Sequence, residues 1–140
     1  MTKLTFQTAF DKMLAHLRQQ GRASVRTYPS GSTSCRYRAS DGAMCAVGCL
    51  IPDNAYDGDL EGACAASRWV LGALEGELDL GAASLPEWGE FLRECQRGMH
   101  DQPHRNAERC QEDFLRWMEV GAAAVAVQFG LTYRRPGAQA

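Results

Sequence analysis

Three stretches of the chain carry apolar side chains at spacings of three and four, each bounded by helix-capping residues. That pattern limits the fold more than any other feature. Phe6, Phe10, Met13, Leu14 and Leu17 form one helical stripe, with Thr5 as cap and Gly21 as stop. Ser84-Leu85-Pro86-Glu87 has the spacing of a capping box, with proline in the first turn, ahead of Trp88, Phe91, Leu92 and Cys95. Cys110, Phe114, Trp117, Met118, Gly121, Val125 and Phe129 trace a last helix, which Gly130 ends. Helices are therefore expected at 5–20, 86–99 and 107–129, with 101–106 as a connection and Asn106 as a cap. Their core would be Phe10, Leu14, Leu17, Trp88, Phe91, Phe114, Trp117 and Val125.

The chain has 140 residues, the size of one domain. The expected class is mainly α, at the margin of α+β: a single-domain helical bundle over 1–133, then a flexible tail at 134–140. A small β-hairpin is expected near residues 35–45. Cys35-Arg36-Tyr37-Arg38 reads as a strand, Asp41-Gly42 as the turn, and Ala43-Met44 as the return. Residues 22–34 read as a loop with Tyr28-Pro29-Ser30-Gly31-Ser32 at its turn. The apolar run Cys45–Ile51 fits a buried helix or strand by periodicity. A short helix stopped by Pro52 is the preferred reading. Residues 53–62 form an acidic loop, and 63–78 a helix weakened by Gly72 and Gly76.

Charge is unevenly distributed. Residues 1–50 hold seven Lys/Arg against two Asp, and residues 51–95 hold ten Asp/Glu against two Arg. The halves either pair with each other or leave a dipole that steers charged partners. No apolar run reaches the roughly 18 residues of a membrane span, and no signal-peptide core is present. A cytoplasmic location is expected, with no membrane contact. The six cysteines, lacking any C-x-x-C pair, are then expected as reduced thiols, with Cys45 and Cys49 buried.

No resident cofactor is expected. Zinc is the alternative, held by Cys35, Cys45 and Cys49 or a His. His100-Asp101 invites a second alternative, a hydrolytic metal, which requires further His and Asp ligands, with His16 and Asp113 as the tempting completions. The Asp53–Glu61 stretch does not have the offsets of an EF-hand. Arg18, Arg22, Arg26, Arg36 and Arg38, interleaved with Tyr28 and Tyr37, form a possible nucleic-acid surface, although the pI near 5.9 argues against one.

Cys35-Arg36-Tyr37-Arg38, Asp41-Gly42, Cys45-Ala46-Val47-Gly48-Cys49-Leu50-Ile51-Pro52-Asp53, Tyr56 and Glu61-Gly62 together resemble a family of uncharacterised small phage and bacterial proteins. Their pattern is C-x-Y-R…G…C-A-V-G-x-L-I-P-D-x-x-Y…E-G. The first helix, His100-Asp101 and Phe129-Gly130-Leu131 are similar as well. The resemblance implies a phage or mobile-element source and gives Cys35 and Cys45 a structural or metal role. The functional expectation is a non-catalytic protein that acts by binding a host protein or nucleic-acid-processing complex with a basic groove, with inhibition as one outcome of that binding. Asp53, Asp57, Asp59 and Glu61 are the expected contact residues. The alternatives are a metal-dependent phosphohydrolase using His100 and Asp101, and a nucleic-acid binder using the basic first third.

Overall fold

The computed structural model describes residues 2–137. It is mainly helical with one two-stranded antiparallel sheet. Helix α1 (Phe6–Gln20) starts at a capping box between Thr5 and Thr8 and ends at Gly21, whose φ of 74° is left-handed. It buries Ala9, Phe10, Met13, Leu14 and Leu17, the stripe read from the sequence.

Strands β1 (Val25–Thr27) and β2 (Thr33–Cys35) pair with Val25 opposite Cys35. The hairpin thus closes around Tyr28–Ser32, one turn earlier than expected. The expected turn at Asp41-Gly42 also forms, but only Arg38 and Met44 bridge across it. The cause is local. The Tyr37 N–H, which would face Cys45 in a second ladder, donates instead to the Glu61 carboxylate at 2.8 Å, and the Arg38 N–H joins it at 3.0 Å.

The Cys45–Ile51 run is a turn leading into a single 3₁₀ turn (Gly48–Leu50). A Cβ at Gly48 would lie 2.0 Å from the Tyr37 carbonyl oxygen, so only glycine fits. The expected helix over 63–78 shortens to α2 (Arg68–Leu74), capped by Ser67, plus a 3₁₀ turn at Glu75–Glu77.

Helix α3 (Leu85–Gln96) begins at the expected Ser84/Glu87 capping box. No loop follows it. The chain widens into a π-turn (Arg97–Asp101) and continues directly as α4 (Gln102–Cys110). Pro103 lies in the first turn of α4, directly after the π-turn. The expected 107–129 helix is two helices. Gln111 takes a left-handed φ of 54° and ends α4, and Asp113 caps α5 (Phe114–Phe129).

The core joins α1, α3 and α5. Phe6 stacks on Phe91 with centroids 4.2 Å apart, and Trp88 and Phe129 meet this pair edge-on. Seven of the eight expected core residues are buried. Trp117 is the exception, half-buried at the edge of α5. The π-turn crosses α5 at two glycines: a Cβ at Gly121 would lie 1.7 Å from the Gly98 carbonyl oxygen. Among the described residues no helix is long and apolar enough to cross a membrane. Residues 134–137 of the expected tail are exposed, and the rest of it lies outside the described residues.

Candidate binding cleft at Asp101

The π-turn adds one residue to a helical turn, which shifts the faces that follow it. His100 thereby points into the core, completely buried, while Asp101 reaches a cleft beside β2. The backbone N–H of Ser24 donates to His100 Nε2 at 2.8 Å. A backbone N–H can only donate, so Nε2 is the acceptor and Nδ1 carries the proton. Nδ1–H then donates to Asp101 Oδ1 at 2.9 Å.

Gln96 completes the hub. Its Oε1 accepts the N–H of Val47 at 3.0 Å, and its Nε2 donates to the same Asp101 oxygen at 2.8 Å. Burial pushes the Asp101 carboxyl up, but hydrogen bonds from His100, Gln96 and Cys35 outweigh it and hold the group below the ordinary carboxylate range. Burial and the Asp101 charge together push the Cys35 thiol up to about 12, so it stays protonated at neutral pH.

The sequence offers two donor sets as alternatives to a metal-free chain, and the fold brings together a part of each. Cys35, His100 and Asp101 bring their ligand atoms within 4.8 Å of one another. Cys45 and Cys49 stay apart from this group. The buried Cys45 sulfur accepts from Gly48 N–H, and the half-buried Cys49 donates to Ala46 O. His16 bonds to the Met44 carbonyl, and Asp113 caps α5. Zinc binding needs an imidazole nitrogen with a free lone pair. The only lone pair on His100 is taken by Ser24, and a metal at Nδ1 would leave the ring with no proton at all. Cys35 is also unsuited to act as a nucleophile, because it bonds to Asp101 and is held in its thiol form.

The Asp53–Glu61 stretch divides in two. The Asp57 and Asp59 side chains are exposed, with Asp57 capping the 3₁₀ turn Gly58–Leu60 through Asp59 N–H. Asp53 is 96% exposed, although it pairs with Arg38 at 2.8 Å. Glu61 instead turns inward, its side chain 8% exposed. It accepts from Tyr37 N–H, Arg38 N–H and, at 2.6 Å, the Tyr56 hydroxyl. Arg38 also donates to Ile51 O at 2.6 Å and lies 4.7 Å from the Tyr56 ring centroid. Much of the C-x-Y-R…I-P-D…Y…E pattern is therefore one knot that ties the hairpin strand to the acidic loop.

The arginines of the basic first third are mostly engaged. Arg18 pairs with Glu119, Arg22 with Asp41, Arg36 with Glu61 and Arg38 with Asp53. The last two join the basic segment to the acidic one, so the two charged segments partly neutralise each other. Arg26 lies over Tyr28 and covers its ring.

Sequence reasoning missed Gln96 and Ser24. No motif marks them, since both act through the π-turn and the hairpin that bring them to His100. In comparisons with known proteins, no family model, curated protein or solved structure matches this chain.

Proposed function

We infer that the chain is a non-catalytic binding protein of phage or mobile-element type, working in the cytoplasm of a bacterial host. It docks through its acidic loop onto a basic, nucleic-acid-binding groove of a host protein. The observation that carries this reading is the pairing of exposed Asp57 and Asp59 with a fixed base. Glu61 locks the root of the loop, so the carboxylates are presented without a large ordering cost. Asp53 adds a further exposed carboxylate, paired with Arg38. Such a face would steer a basic partner and raise its association rate. The six free cysteines suit a reducing compartment.

The test is capture of host proteins retained by DNA resin, using the immobilised chain. Binding should be competed by DNA and lost in the Asp57→Lys/Asp59→Lys variant. Capture that DNA does not compete, or that survives charge reversal, would reject the reading.

A further inference from the structure

The cleft above Asp101 has two lobes, of about 270 and about 150 Å³, which share Tyr37, Gln96 and Asp101. Asp101 Oδ1 is fixed by His100 and Gln96. The weak S–H donor of Cys35 also reaches this carboxylate, and the side chain is 28% exposed, so it keeps acceptor capacity towards the cleft. The cleft therefore has on its floor a charged acceptor already held in one orientation. The smaller lobe is bordered by Arg93 and Arg97. Arg97 pairs with Glu94, whereas exposed Arg93 has no ion-pair partner among the described residues.

We propose that this lobe binds a small zwitterion of α-amino-acid type, with its ammonium group on Asp101 and its carboxylate on Arg93. The charges exclude simpler ligands. A plain anion meets the Asp101 carboxylate, and a plain cation meets the arginine rim. The lobe suits the head of a small ligand: its volume of about 150 Å³ is below the ~300 Å³ at which sites for drug-sized ligands begin, and a side chain can extend into the adjoining lobe of about 270 Å³. Ammonium–carboxylate and guanidinium–carboxylate bonds are charge-assisted, so each end contributes strongly to the fit. This site is separate from the acidic loop, and its failure would leave the proposed docking function standing.

The test uses the full chain, with saturation-transfer NMR and calorimetric titration against the free amino acids. N-acetyl amino acids, amino-acid amides, nucleoside monophosphates and zinc ion serve as comparison probes. At least one free amino acid should bind saturably. Its acetylated and amidated forms, and the Arg93→Gln variant, should each weaken binding about tenfold or more. Asp101→Asn should do the same. Because Arg93 is exposed, Arg93→Gln keeps the fold and decides the matter even if Asp101→Asn does not fold. Absence of amino-acid binding, binding unchanged in Arg93→Gln, or tighter binding of a nucleotide or zinc would each overturn the proposal.

Discussion

Glu61 accepts the backbone N–H of Tyr37 at 2.8 Å, which removes that donor from the pairing around Asp41-Gly42. Cys45 N–H still donates to Tyr37 O and Ala39 N–H to Ala43 O, so a single bridge is left of the ladder that the sequence spacing leads one to expect. Removing a charged acceptor from partly buried donors leaves those donors unsatisfied. Glu61→Ala should therefore cost about 2–4 kcal/mol, since hydrogen bonds to charged groups are worth ~1.5–3 kcal/mol each and do not simply add. Urea unfolding of the two proteins measures this.

The two glycines at the crossing of the π-turn and α5 make a prediction whose sign is the test. At Gly121 an added methyl would meet the Gly98 carbonyl, and overpacking of this kind costs ~1–3 kcal/mol. At Gly72, an exposed position of α2, a Cβ meets nothing within 4 Å. Gly121→Ala should lower the unfolding midpoint, whereas Gly72→Ala should raise it by up to ~1 kcal/mol of stability.

Acid should loosen the Asp101 hub. The carboxyl lies lower in the folded protein than the ordinary aspartate value. Its contribution is therefore complete above that value and is lost as pH falls through the lower, folded value. Asp101→Asn should make stability less dependent on pH below about 4. Thermal unfolding midpoints of both proteins across an acid series measure the difference.

Thiol accessibility follows burial and proton affinity together. Exposed Cys64 and Cys110 should react quickly with a disulfide reagent at neutral pH. Cys45 and Cys95, both buried, should react only on unfolding. Cys35 borders the cleft yet should react slowly, because its thiol is pushed up to about 12. Mass spectrometry of partly labelled protein ranks the six sites.

Local signals were legible wherever they were strong. The caps at Thr5 and Ser84 and the stripe of α1 stand where the sequence places them. The expected connection at 101–106 is helical instead, because the π-turn carries α3 directly into α4. The single last helix fails because nothing in the identity of Gln111 announces a left-handed backbone. His100 and Asp101 were visible as a pair, but their partners Ser24, Gln96 and Cys35 come from other elements. Sequence spacing does not encode such meetings. Glu61 looked like one more carboxylate of an acidic loop, and only the position of Tyr37, Arg38 and Tyr56 around it reveals an internal role.

The most direct measurement of the docking account is the association rate of the chain with the DNA-resin host fraction. It compares the native chain with Asp57→Lys/Asp59→Lys at low and high salt. The account predicts a rate that falls about tenfold or more on charge reversal at low salt, with the two proteins converging at high salt as the field is screened. Equal rates at low salt, with the same salt dependence, would contradict it.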